Sequence, residues 1–141
     1  MSPDADRALE LLGRQPYGRL SLSMRALPFV VPTRHIVVDG VVMVRLPGGF
    51  GYAGAGDGSV IAYEADNFGG REEGQEDVWS VQCIGVARAF TPSPAQLELF
   101  GPAPRAADNA PFIPEYLCLE PQFTRFHRLE GVPARQAVHA C

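Results

Sequence analysis

Short runs in which apolar and polar residues alternate, cut by glycine- and proline-bearing turns, make up most of the chain. From Tyr17 to Met24, Leu20, Leu22 and Met24 fall on one side and Arg19, Ser21 and Ser23 on the other. That period of two predicts a half-buried strand. Arg25-Ala26 supplies a turn, and Pro28 to Val38 is the next predicted strand. Its Pro28 and Pro32 cannot donate to a ladder, so an edge or a bulge is expected there. Asp39-Gly40, set between Ile36-Val37-Val38 and Val41-Val42-Met43-Val44, spells a two-residue hairpin turn and gives those strands a defined register. Further strands are predicted over Ser59–Ala65, Val78–Phe90 (with Gly85 as a bulge or bend), Tyr116–Leu119 and Gln122–Leu129.

Helical spacing is confined to two places. Ala5, Ala8, Leu9 and Leu12 share one stripe of a helix at about residues 4–13, stopped by Gly13. Ser93, Pro94 and Gln96 form a capping box with proline at the first position, opening a short helix over Ala95–Phe100. Glycines crowd residues 47–59, where Gly56 and Gly58 before the next strand leave no room for a helix. Residues 67–77 read as a polar loop, 102–114 as a connection laid over the surface, and the tail from Glu130 as irregular. The whole of 1–141 is expected to be one domain, mainly β. Six or seven strands with two or three short helices imply a closed or nearly closed antiparallel barrel. Near-continuous apolar residues over Val78–Val86 call for a second buried face, which suits pairing with another copy.

Composition narrows the function. With 46% hydrophobic and 20% charged residues the 141-residue chain reads as an ordinary globular protein. A net charge of -4 argues against nucleic acid as a partner. All 12 basic residues are arginine, so an anion site must use guanidinium or backbone N–H groups. No apolar run approaches the ~20 residues that span a bilayer, so no membrane segment is expected. An acidic, helix-like start and an odd set of cysteines (Cys83, Cys118, Cys141) without CxxC spacing point to the cytoplasm.

Candidate chemistry is sparse. Gly49-Phe50-Gly51-Tyr52-Ala53-Gly54 matches G-x-G-x-x-G, but a dinucleotide turn needs a helix to start there. A backbone nest for an anion, with Phe50 and Tyr52 stacking on a flat ring, competes with a plain connection whose aromatics cover the barrel mouth. Glu64 and Asp66 share a strand face and read as exposed edge charges. His35, His127 and His139 are scattered without metal-ligand spacing, so no metal site is expected, and no G-x-S-x-G marks a hydrolase. Arg34 and Arg45 lie at matching distances from the Asp39-Gly40 turn. Meeting across the ladder, they would repel unless an anion sat between them; the competing reading is two solvated edge arginines.

With these segments in order, the chain resembles the pyridoxamine 5′-phosphate oxidase-like family of FMN-binding split barrels. The resemblance is carried by Gly18-Arg19-Leu20, Ala26-Leu27-Pro28 with Pro32, Val37-Val38-Asp39-Gly40, Val44-Arg45, Ala62-Tyr63-Glu64-Ala65-Asp66, Trp79-Ser80-Val81, Gly85-Val86-Ala87 and Tyr116-Leu117 to Arg128-Leu129. It implies a six- to seven-stranded antiparallel split β-barrel and a homodimer with FMN at the subunit interface. By the same resemblance Thr33, Arg34 and His35 line the isoalloxazine ring. Arg45 and Leu46 lie beside the ribityl phosphate, the loop of Phe50, Gly51 and Tyr52 closes over it, and Trp79 and Ser80 sit near the ring or the dimer contact. The implied activity is that of a flavin-dependent oxidoreductase acting on a small molecule. The chain departs from the family where Leu46 stands for threonine and Gly49–Tyr52 for the Ser-Lys of the phosphate loop. Each lost charge-assisted bond is worth roughly 1.5–3 kcal/mol, and Arg34 is the residue that can restore the charge. The alternative reading is a non-catalytic barrel that holds another flat anionic ligand, such as haem or a deazaflavin, or none.

Overall fold

The computed structural model describes residues 3–69 and 77–132. In chain order its elements are α1 (Pro3–Arg14), β1 (Tyr17–Met24), β2 (Leu27–Val38), β3 (Val41–Pro47), α2 (Tyr52–Gly56), β4 (Val60–Asp66) and β5 (Val78–Ala89). They continue with α3 (Pro94–Phe100), β6 (Ala106–Ala107), β7 (Ala110–Pro111), β8 (Pro114–Leu119) and β9 (Phe123–Leu129). Strands β1, β2, β3, β8, β5 and β4 close into an antiparallel barrel, and β9 is added beside β5. Mainly β, a six-strand barrel with one extra strand and three helices, the architecture is the one the alternating runs predict.

The turn at Asp39-Gly40, with both residues at positive φ, sets Val38 opposite Val41 and Arg34 opposite Arg45. Up to Thr33, β2 pairs with β1 alone, and from His35 onward with β3 alone. Pro28 and Pro32 therefore lie where the other edge of β2 is free, which is why proline is tolerated. Gly85 marks a hand-over. One edge of β5 pairs with β9 as far as Ile84 and with β8 from Ala87. A Cβ at Gly85 would stand 2.6 Å from the Glu120 carbonyl oxygen, so only glycine lets the β8–β9 turn cross at this point.

The interior is filled. Leu20, Leu46, Tyr63, Val81, Cys83 and Leu117 are fully buried, each such apolar side chain contributing roughly 1.5–3 kcal/mol. Helix α1 buries Ala8, Leu9 and Leu12 at one end of the barrel, and α2 buries Ala53 at the other. Tyr63 is fully buried, and Gly18 makes room for it. A Cβ there would lie 2.5 Å from the Glu64 carbonyl oxygen and 2.7 Å from the Tyr63 hydroxyl.

Helix α2 corrects the expectation that residues 47–59 hold no helix. Gly51, at φ 81°, reverses the chain, and Ala55 N–H bonds back to the Gly51 carbonyl at 3.0 Å. Gly56 then passes so close to Leu117 that a Cβ would meet its Cδ1 at 2.6 Å. Packing thus overrides the poor helix propensity of glycine. At five residues it is still far shorter than the helix of a dinucleotide turn. The 102–114 connection likewise contains the small β6–β7 hairpin, turned by Asp108-Asn109 at positive φ. Of the expected polar loop and irregular tail, residues 70–76 and 133–141 lie outside the described residues.

A buried polar network spans the barrel. The Nε2 of His35 faces the Leu12 carbonyl at 2.8 Å, so it carries the proton. Its Nδ1 then accepts from the Tyr63 hydroxyl at 2.5 Å, which itself accepts from Thr33 Oγ1 at 3.1 Å. Burial is the main cause that lowers the His35 pKa to about 4, with the Arg34 charge adding to it against the Leu12 bond. Burial also pushes the Tyr63 hydroxyl well above its ordinary value. Above pH ~6.5 the imidazole is neutral folded or unfolded, and its network is intact. As pH falls from there, the unfolded chain binds the proton first, so stability declines until the folded His35 titrates near 4. We predict a loss on the order of 3 kcal/mol over that window, read as a falling urea midpoint. His35→Gln should flatten the slope between pH 6.5 and 4; an unchanged slope would contradict this role.

Candidate functional site

Period-2 alternation decides where each candidate residue points. Thr33 and His35 share the parity of Val31 and face the core, where both are buried. Arg34 faces out between them. On β3 the order is reversed: Arg45 faces out, and Leu46 lies in the core. On β5, Trp79 packs against the core and stacks on Phe126 at 6.4 Å, while its neighbour Ser80 sits on the outer face, opposite Asp66 and His127. Phe50 and Tyr52 stack at 5.6 Å, and Tyr52 lies 6.5 Å from Phe29 at the α2 end of the barrel. The structure therefore joins Thr33 with His35, Arg34 with Arg45 and Phe50 with Tyr52. It does not gather all of them into one cleft: Trp79 and Ser80 start β5 at the α1 end, opposite the Phe50–Tyr52 loop.

The arginine pair is the best-defined polar feature outside the barrel. Arg34 donates from Nε to the Phe100 carbonyl (3.2 Å), from Nη2 to Leu99 (2.9 Å) and from Nη1 to Pro16 (3.1 Å) and His35. Arg45 donates from Nη1 to the Gly101 carbonyl at 3.0 Å and from Nε to the Tyr116 hydroxyl at 3.1 Å. Its guanidinium also lies over the rings of Phe100 (4.9 Å) and Tyr116 (5.6 Å), which leaves Arg45 only 4% exposed. The last carbonyls of α3, where the helix dipole is negative, thus meet both cations. Neither arginine has a carboxylate partner among the described residues. The sequence located this pair, but not the helix end that covers it.

Two contributors have weak sequence signals. Arg19 forks onto Glu64, with Nε to Oε2 at 2.7 Å, and also bonds Asp66. Asp66 is therefore not the exposed edge charge expected of it: its side chain is 7% exposed. Asn67, buried, donates to the Asp77 carbonyl at 3.1 Å and accepts from Trp79 N–H at 2.8 Å, so it pins the entry to β5. Among the described residues no three His, Cys, Asp or Glu side chains are grouped to hold a metal, and no helix is long and apolar enough to cross a membrane.

Residues 4–116 match the profile of the family described as Pyridoxamine 5′-phosphate oxidase. The chain belongs to that family. Similar solved structures share its fold at low identity. The FAD binding protein from Mycobacterium smegmatis aligns with a TM-score of 0.65 and 21% identity, covering 92% of this chain and 97% of that one. A putative pyridoxamine 5′-phosphate oxidase from Corynebacterium glutamicum aligns at 0.64 and 18%, over 95% and 94% of the two chains. The FAD and heme binding protein from M. smegmatis aligns at 0.64 and 16%, over 93% of this chain and 74% of its own. In sequence, 89 residues are 38% identical to the uncharacterized protein Rv0080 of Mycobacterium tuberculosis, over 60% of this chain and 57% of that protein. The chain thus matches little more than half of that curated relative's length.

Replacing Arg34 by alanine should free the last turn of α3. We expect a loss of about 2 kcal/mol in urea unfolding, with Arg34→Lys recovering only part of it because an ammonium lacks the guanidinium fork. Equal stability of all three proteins would show that the carbonyl bonds contribute nothing net.

Proposed function

We propose that this family member is a flavin-binding split barrel that works as a homodimer, with the flavin between the subunits. The observation that carries the reading is the outward Arg34–Arg45 pair, two guanidinium groups that are met by neutral carbonyls and a hydroxyl and have no carboxylate partner among the described residues. The FAD binding protein and the FAD and heme binding protein from Mycobacterium smegmatis, which share this fold, lend support. The residues present fit a flavin. Arg45 and Arg34 suit the phosphate, while the Phe50–Tyr52 stack, a separate feature at the α2 end of the barrel, offers a face to a flat ring. The phosphate loop lacks lysine, so arginine must provide the charge for either FMN or FAD.

A bound flavin supplies the electron-transfer chemistry. This chain's part is to bind, orient and exclude water, and none of its described side chains is assigned as a general acid or base. If catalytic, the protein is a flavin-dependent oxidoreductase for a small molecule. Haem would need an axial ligand; His35 has both ring nitrogens engaged inside the core, which leaves His127, exposed on the outer face of β9, as the described histidine that could serve.

The outer face of the sheet supports the dimer. Val30, Ser21, Ala62, Ile84 and Phe123 lie opposite one another across five strands, with Val60 paired to Val86 alongside. Small residues at the centre of this band let another sheet approach. Val30, Val60 and Phe123 remain well exposed in the single chain. A C2 contact here would bury an apolar band that a monomer leaves in water.

The visible spectrum of purified protein tests the cofactor, and mass spectrometry of the released ligand separates FMN, FAD and a deazaflavin. A colourless protein that takes up neither added FMN nor FAD defeats the reading. In a flavin-loaded protein, Arg45→Ala should weaken affinity by about tenfold to a hundredfold. Phe123→Asp should halve the mass measured by light scattering; a dimer that survives it does not use this band.

A further inference from the structure

The two arginines hold a ligand already, and it is the protein's own helix. We infer that the end of α3 is a displaceable cover on a phosphoryl-anion subsite formed by Arg34 and Arg45, so that the Leu99, Phe100 and Gly101 carbonyls and a phosphoryl group compete for the same guanidinium donors. The inference rests on reading this face as the place where the ligand's phosphate binds, and adds how access to it is controlled.

Three features of the site support competition rather than a permanent clasp. First, the charges do not balance. Two facing guanidinium groups are met by neutral carbonyls and a hydroxyl, and a buried cation without a counter-ion is poorly stabilised. A helix end offers at most about half a negative charge, whereas a phosphoryl group offers a whole one or two. Second, Arg45 is buried, and its Nη1 and Nε bonds end on the Gly101 carbonyl and the Tyr116 hydroxyl, two neutral acceptors that an entering anion would have to displace.

Third, α3 is built to let go at one end. Its start is secured by a complete capping box: Gln96 N–H to Ser93 Oγ at 3.2 Å and Ser93 N–H to Gln96 Oε1 at 2.9 Å. Its seven residues bury one large apolar side chain, Phe100, while Leu97 and Leu99 stay exposed. Gly101 at φ 76° ends it, and Pro102 and Pro104 follow. A helix this short is not stable alone, so its last turn persists through what the arginines and Phe100 give it.

Amide hydrogen exchange of the apoprotein with inorganic pyrophosphate tests the idea without needing flavin. Saturating pyrophosphate should speed exchange across Leu97–Gly101 by about tenfold, with the α3 start and the barrel strands unchanged. Arg34→Gln should show fast exchange there from the outset and no further response. The inference is overturned if pyrophosphate slows exchange in α3, leaves it unchanged, or does no more than sodium chloride of equal ionic strength. Should the protein bind flavin while α3 stays protected, the cofactor reading survives and the cover does not. Release by pyrophosphate in a protein that never takes up flavin has the opposite meaning: the cover stands and the cofactor reading falls.

Discussion

Tyr63 occupies the middle of the barrel, and the rest of the molecule is arranged around the need to keep its hydroxyl satisfied there. A buried phenol without partners would cost about 1–3 kcal/mol. Thr33 and His35 provide those partners from β2, and His35 passes the connection on to the Leu12 carbonyl at the end of α1. Gly18 exists as glycine because the Tyr63 ring leaves no room for a side chain. This network and its apolar surroundings fill the core, and the two facing arginines stand on the outside of the barrel.

Outside, the constraint is charge. Twelve arginines and no lysine give the chain only one kind of cation, a planar fork that meets carbonyls and phosphates equally well. Arg19 uses the fork on carboxylates, joining β1 to β4. Arg34 and Arg45 use it on the end of a helix and so fix α3 over the outer cluster of Ile36, Met43 and Phe100. Fold and candidate site are therefore built from the same donors: the groups that can hold an anion are the groups that seat α3.

Much of the frame was legible where the signal is local. Asp39-Gly40 dictated a register that puts Arg34 opposite Arg45, and Ser93 with Gln96 announced the start of α3. What could not be read was set by distant partners. The five-residue α2 forms because Gly56 fits against Leu117, a contact no window of sequence contains. Thr33 and His35 look like surface residues by polarity, yet they share the parity of Val31, and strict alternation would have turned them inward. A glycine inside a strand, at Gly18, was the available sign that another side chain comes close. Nothing local marked Tyr63 as that side chain.

The hand-over at Gly85 gives the turn between β8 and β9 an influence out of proportion to its size. Gln122 N–H bonds the Ile84 carbonyl at 2.8 Å and sets β9 so that Phe123, Arg125 and His127 share the outer face with Ile84, Gln82 and Ser80. Thr124 and Phe126 lie on the inner side, opposite Cys83 and Val81. One residue added to or removed from that turn would slide β9 by a single step and exchange the two sets. The six-strand ring would stay closed, because β9 is no part of its circumference. Relatives on this frame thus have an inexpensive route to a new surface: the length of one short turn rewrites which side chains a neighbour meets, while the barrel itself goes untouched.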